Sequence, residues 1–247
     1  MHHFFVKPEQ IGEKTITVTG KDVNHIRNVL RMEPGEEVNV TDGENGRVYR
    51  CEVAALEEES VLLTIRWCQE EGIELPSRIY LFQGLPKSDK MELIIQKAVE
   101  LGVYEIVPVA TRRAVVKLDE KKASAKQKRW QAIAESAAKQ SKRLIIPRIQ
   151  EVMTMKEAVS YAERIDQKLI PYELAEGMEH TREVIGSIEP GQSVAVFIGP
   201  EGGFEEAEVL LAKEHGAREI TLGRRILRTE TAGMTVLSIL MYHLEGR

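Results

Sequence analysis

The spacing of apolar and polar positions changes character once along the chain. In the first part, TITVTG, EEVNVTDGENGRVYRCEVAALE and SVLLTIRW alternate or are rich in β-branched residues, which predicts short strands with one buried face. DGENG marks a turn between two of them. One segment breaks the alternation. In KDVNHIRNVLRM, Val23, Ile26, Val29 and Leu30 recur at helical spacing, and EPGE ends the run. These elements predict a small β-rich barrel or sandwich. The polar segment Gln69 to Ser77, with its Gly and Pro, marks a boundary, so the expected domains are 1–72 and 73–247.

From Arg78 onward, short apolar runs (IYLFQ, EIVPVA, KLIPYE, VAVFIG, EITLG) alternate with helical segments. That order predicts an α/β domain with a mostly parallel sheet. In DKMELIIQKAVELG the buried stripe is Met91, Ile94, Ile95, Ala98 and Leu101, and Gly102 suits a C-terminal cap. KQKRWQAIAESAAKQSKR places Trp130, Ile133, Ala134 and Ala137 on one helical face. The last segment, TAGMTVLSILMYHL, is apolar nearly all round, which predicts burial on every side, either within its own domain or against a second copy of the chain.

Charge alters this picture. The net charge is −5, yet residues 1–72 hold 8 Lys or Arg against 14 Asp or Glu, whereas residues 112–148 hold 12 against 3. A concentrated basic segment in an acidic protein fits a polyanionic partner, and it equally fits a solvated helix face. The two cysteines, Cys51 and Cys68, and the six histidines show no metal-ligand spacing, so no metal is expected, and two buried thiols suit a reducing compartment. No apolar run reaches the length of a membrane span and the start lacks a secretory signal, which predicts a cytoplasmic protein without a membrane partner.

Candidate chemistry falls in loops after strands, where ligands of open α/β sheets bind. FIGPEGGF combines Gly199, Gly202 and Gly203 with Glu201. Neither a Walker pattern nor GxGxxG is present, and Glu201 would repel a pyrophosphate, so a ligand without phosphate fits better. A tight turn whose glutamate complements a helix dipole is the alternative. LGRRILRTETA crowds Arg224, Arg225 and Arg228 before a helix that Thr229 can cap and Glu230 can favour. Lys87 and Lys90 stand at another helix start, either as a phosphate site or as surface lysines.

Taken together, HIRNVLRM, GLPKSDKMELIIQKAVELGV, SAAKQSKR, FIGPEGGFEEAE and LGRRILRTETA resemble the ribosomal RNA small subunit methyltransferase E family of the SPOUT superfamily, over nearly the whole chain. The resemblance implies a PUA-like RNA-binding β-barrel followed by an α/β domain with a deep trefoil knot. It implies a homodimer that uses S-adenosyl-L-methionine to methylate N3 of a uridine in 16S ribosomal RNA of the small ribosomal subunit, near the decoding centre. By the same resemblance, Pro171, Tyr172, Ile198, Gly199, Gly202, Leu222, Gly223, Ile226 and Leu227 would bind the cofactor. Arg228 would stabilise negative charge on the uracil, and Glu201 is the candidate base. RNA contacts would fall on Arg27, Arg31, Lys87, Lys90, Lys139 and Arg143, although AAKQSKR departs from the more acidic form common in the family. Two rival functions are a SPOUT enzyme acting on another RNA nucleotide and a non-catalytic RNA-binding assembly factor.

Overall fold

A computed structural model describes residues 2–44, 46–69, 73–173 and 177–245. Parts of the DGENG turn, of the expected boundary segment and of the loop after Pro171 lie outside the described residues. The chain divides into two compact units, one of residues 1–74 with 138–146, the other of 75–137 with 147–247.

The first unit is a five-stranded sheet in the order β1-β3-β4-β5-β2. Its strands are β1 (His2–Phe5), β2 (Thr15–Thr19), β3 (Glu37–Thr41), β4 (Val48–Leu56) and β5 (Ser60–Gln69). β1 pairs with β3 in parallel, and the other neighbours are antiparallel. Alternate residues, among them Phe4, Ile16, Val18, Val38, Val40, Val53 and Leu63, face one common core, as the period of two predicted. The helical segment is α1 (Lys21–Asn24), which widens into a π-helical turn over His25–Val29. This widening corrects one expectation. Val23 and Ile26 are buried, but Val29 is 61% exposed, because a wider turn rotates it off the stripe that 3.6-residue spacing assigns it.

Residues 138–146 belong to this unit through specific bonds. Ile146 donates its amide to the Gly43 carbonyl (2.9 Å), and Thr41 Oγ1 donates to the Leu144 carbonyl (3.1 Å). The Glu74 carboxylate accepts from Arg143 and from the amides of Leu144 (2.8 Å) and Ile145 (3.2 Å). Cys51 is buried, whereas Cys68 is exposed, contrary to the expectation of two buried thiols, because it lies where β5 runs beyond the core.

The second unit is a seven-stranded sheet in which every pairing among the described residues is parallel. Its main path runs β12-β10-β11-β6-β7-β8, with β9 beside β7. In chain order the elements are β6 (Ile79–Gly84), α2 (Lys90–Glu100), β7 (Glu105–Ala110), α3 (Glu120–Gln140), β8 (Arg148–Ile149), β9 (Met153–Thr154), α4 (Met155–Ala162), β10 (Gln167–Pro171), α5 (Met178–Gly186), β11 (Val194–Ile198), α6 (Glu206–Glu214), β12 (Arg218–Ile220) and α7 (Thr229–Glu245). α3 ends within the first unit. β6 and β11 are buried at every position, which is why they read as continuous apolar runs rather than alternating ones. Phe82 stacks on Phe197 between these neighbouring strands, ring centroids 4.5 Å apart.

α7 packs against α2 and β11. Gly233, Val236, Leu237, Leu240 and Leu244 are buried, but Tyr242 is 84% exposed. All-round burial is therefore not met within one chain, where one side of the helix stays open. Among the described residues no helix is long and apolar enough to cross a membrane, and no group of three His, Cys, Asp or Glu could hold a metal ion.

Candidate active site

The parallel sheet brings the loops after β6, β10, β11 and β12 to one edge, since every strand runs the same way. Two of these loops are joined directly. Thr229, the first residue of α7, donates its hydroxyl to the Gly199 carbonyl at 2.6 Å. The same hydroxyl accepts from Gln83 Nε2 at 2.9 Å, and Gln83 also donates to the Gly84 carbonyl. Gln83 is wholly buried at the end of β6. One side chain thus fixes the carboxyl ends of two central strands and the start of the last helix. Sequence reasoning passed over Gln83, although a single amide closing an otherwise apolar strand was a visible signal.

The glycine loop, residues 199–205, is closely packed. A Cβ on Gly199 would lie 3.0 Å from the Gly203 carbonyl carbon, and one on Gly84 would lie 2.6 Å from Pro200 Cδ. Glycine is required at both places by backbone approach. Glu201 does not reach into open space. Its carboxylate accepts from the Lys87 amide (3.1 Å) and pairs with Lys90 Nζ (3.0 Å), which also lies 3.5 Å from Glu230. Partial burial opposes ionisation of Glu201, but its own backbone, Lys90 and the Lys87 amide outweigh that and hold the carboxyl below the usual glutamate range. Arg113 donates to the Gly202 carbonyl (3.0 Å), and the Arg112 amide donates to Glu208 (2.9 Å). Glu205 caps α6 in a capping box with Glu208.

The arginine loop after β12 is different. Gly223 adopts φ +102°, a left-handed conformation, with nothing within 4 Å of where a Cβ would stand. From Leu222 to Leu227 the backbone makes no hydrogen bond with the described residues except the Gly223 amide, which donates to Thr221 Oγ1. The side chains of Arg224, Arg225 and Arg228 are exposed and have no ion-pair partner among the described residues. Glu230, the carboxylate nearest to them in sequence, faces Lys90 instead. Ile226 is 89% exposed.

The remaining expected site residues are spread more widely. Pro171 pairs with Ile220 across β10 and β12, and the Tyr172 amide donates to the Ile220 carbonyl, which sets both beside the arginine loop. Ile198 is buried at the end of β11. Of the basic residues, Arg27 spends its guanidinium on the carbonyls of Glu57 (2.7 Å) and Glu58 (2.9 Å). Lys139 lies 3.5 Å from Asp22. Arg143 is only 5% exposed and is bound to Glu74, so its charge holds residues 138–146 to the first unit rather than standing at a surface. Arg31 is exposed and takes a left-handed backbone (φ 53°), and the Lys87 side chain is exposed.

The arrangement provides a rigid glycine wall, a loop of unpaired backbone donors and acceptors, and three uncompensated cations. That combination can hold a ligand by backbone contacts and meet an anionic partner. The comparisons agree with it. Residues 73–241 match an RNA methyltransferase domain, and residues 18–66 match an RNA methyltransferase PUA domain. The ribosomal RNA small subunit methyltransferase E of Bacillus subtilis (strain 168) is 38% identical, covering 99% of this chain and 98% of that protein. A ribosomal RNA small subunit methyltransferase E from Neisseria gonorrhoeae, solved bound to S-adenosyl methionine, superposes with a TM-score of 0.82 at 32% identity over 98% of this chain and 97% of that one. A putative methyltransferase from Legionella pneumophila, also in complex with this cofactor, gives a TM-score of 0.81 at 32% identity, covering 97% and 96%. The chain therefore belongs to the ribosomal RNA small subunit methyltransferase E family, with an RNA methyltransferase domain that follows a PUA domain.

Proposed function

We propose that this protein is an S-adenosyl-L-methionine-dependent methyltransferase that modifies N3 of a uridine in 16S ribosomal RNA near the decoding centre. It acts in the cytoplasm, as a homodimer, on the small ribosomal subunit. The observation that carries the reading is the bond from Thr229 Oγ1 to the Gly199 carbonyl, which joins the glycine loop to the arginine loop at one sheet edge. The residues fit the cofactor. It carries no phosphate, and the unpaired backbone from Leu222 to Leu227 offers groups suited to an adenine edge. Gly199 and Gly202 supply close backbone approach, and Pro171 and Tyr172 close the side beside β12.

When bound, S-adenosyl-L-methionine supplies an electrophilic methyl group. The chain's own work is to orient the uracil, exclude water and stabilise charge. Arg228 is the catalytic residue of this reading. Its guanidinium stays charged and offers two donors in one plane to the uracil oxygens as the N3 proton leaves to water. Glu201 serves as a positioning residue, because its carboxylate is already engaged by Lys90 and the Lys87 amide. Arg31, Lys87, Arg224 and Arg225 supply phosphate contacts, aided by Arg27 and Lys139, and Arg143 is left out of that set. The open side of α7, with Tyr242, forms the dimer contact, which sedimentation equilibrium at micromolar concentration will detect. The knot implied for the α/β domain is part of the same reading, supported by the return of α7 from edge strand β12 to central β11.

The deciding experiment offers labelled cofactor to unmethylated small subunits and to free 16S RNA, then identifies the labelled nucleoside. Label in 3-methyluridine supports the reading. Label in another nucleoside moves the protein to a different RNA target. No label with either substrate overturns methyl transfer.

A further inference from the structure

The loop from β7 to α3, residues 111–119, borders a cavity of about 580 Å³ that lies apart from the residues assigned to the cofactor. Its apolar lining includes Leu85, Ala114, Val116, Leu118 and Val152, and its polar lining includes Thr111, Arg112 and Lys117. Thr111 is 7% exposed, and its Oγ1 has no hydrogen-bond partner. A buried hydroxyl without a partner costs stability, and such groups in native structures call for an explanation. The volume is in the range of small-molecule sites, and apolar walls with a few polar groups are how such sites are built. A bare phosphate would not need these walls, and a purely apolar ligand would not need Lys117 and Arg112.

The cavity is also coupled to the glycine loop. Arg112 binds Glu208 through its amide and approaches Glu205 at 3.4 Å through its guanidinium, while Arg113 binds the Gly202 carbonyl. Glu205 itself lines the cavity. The loop that forms the cavity wall therefore holds the loop that forms the cofactor wall, within the segment that carries 12 basic residues against 3 acidic ones.

We propose that this cavity receives one unstacked nucleobase of single-stranded RNA, a neighbour of the nucleotide being methylated. The base lies against the apolar walls, Thr111 Oγ1 bonds its edge, and its phosphate lies by Lys117 and Arg112. Single-stranded RNA is recognised in this way, by bases splayed out of the stack into pockets. The inference rests on the methyltransferase reading for the identity of the RNA, but its test does not depend on turnover.

The test measures anisotropy of a fluorescein-labelled single-stranded RNA decamer, rich in uridine, with full-length protein across a salt series. Two variants are used, Thr111→Val, which keeps the shape, and Ala114→Leu, which fills the space. Thr111→Val is expected to weaken RNA binding roughly tenfold with the salt slope unchanged, since a base contact releases no counterions. Its melting temperature should stay level or rise, because an unpaired buried hydroxyl is removed. Ala114→Leu should weaken RNA binding to a similar degree, and Lys117→Ala should lower the salt slope by about one. Cofactor affinity, read by calorimetry, should remain at the wild-type value in Thr111→Val. Unchanged RNA affinity in both Thr111→Val and Ala114→Leu overturns the proposal, as does a loss of RNA affinity matched by an equal loss of cofactor affinity. A wild-type protein that binds the decamer yet transfers no methyl group refutes the methyltransferase reading and leaves the cavity result to stand by itself.

Discussion

The loops after β11 and β12 meet at Thr229, yet they are built on opposite plans. In the glycine loop most polar groups already have a protein partner. Glu201 has Lys90 and the Lys87 amide, the Gly202 carbonyl has Arg113, the Gly199 carbonyl has Thr229, and Glu205 caps α6. In the arginine loop almost nothing is satisfied, neither the backbone from Leu222 to Leu227 nor the guanidiniums of Arg224, Arg225 and Arg228. Three cations beside a helix N-terminus oppose its dipole, and no carboxylate offsets them, since Glu230 is committed to Lys90. The contrast teaches a division of labour. One loop is a finished wall that holds its shape without ligand, and the other is completed by what binds.

If that division holds, substitutions in the two loops will fail in different ways. The largest effect is expected for Arg228→Ala, a loss of about 10²–10³ in kcat with cofactor affinity intact, read by single-turnover methyl transfer and calorimetry. Full turnover in this variant would remove Arg228 from the chemistry. Next comes Gly84→Ala. A Cβ there meets Pro200 Cδ at 2.6 Å and Pro200 N at 2.7 Å, so overpacking should cost about 1–3 kcal/mol in thermal or denaturant unfolding. A neutral result would mean that the wall is softer than its contacts imply. A smaller change is expected for Arg224→Ala and Arg225→Ala, each of which should lower the slope of log affinity for RNA against log salt by about one, with the melting temperature level or raised. A drop in stability would show that these arginines have structural partners after all.

Smallest of all should be the effect of Glu201→Gln, a few-fold rise in the cofactor Kd with the shape of the pH–rate profile preserved. A lost basic limb in that profile would instead restore Glu201 as the base. The pH dependence of stability follows the same logic. The Glu201 pKa is depressed on folding, so its contribution is complete above the ordinary glutamate range and is lost as pH falls through the lowered folded value. Unfolding of wild type and Glu201→Gln should therefore differ at neutral pH and converge in acid. Burial works against this shift and the pair is partly solvated, so the difference should be modest.

Several features were legible from residue order alone because they are local. Alternation located the strands of the first unit, and unbroken apolar runs located β6 and β11, since side-chain period follows directly from which faces are buried. The two loops were visible as glycine and arginine clusters at strand ends. Their meeting was not, because Gly199 and Thr229 belong to different βα units and only the order β12-β10-β11-β6 sets their distance. The partners of charged residues were hidden for the same reason. Glu201 looked like a free negative charge until α2 delivered Lys90, and Arg143 looked like part of a basic surface until Glu74 covered it. The open side of α7 shows the converse limit, as an all-apolar sequence specifies that a helix must be covered but not by which chain. Periodicity thus determined the elements and the sheet type, while the tertiary structure decided which charges are spent and which remain available, because a charge is neutralised by whatever lies near it in space, and that neighbour is seldom near in sequence.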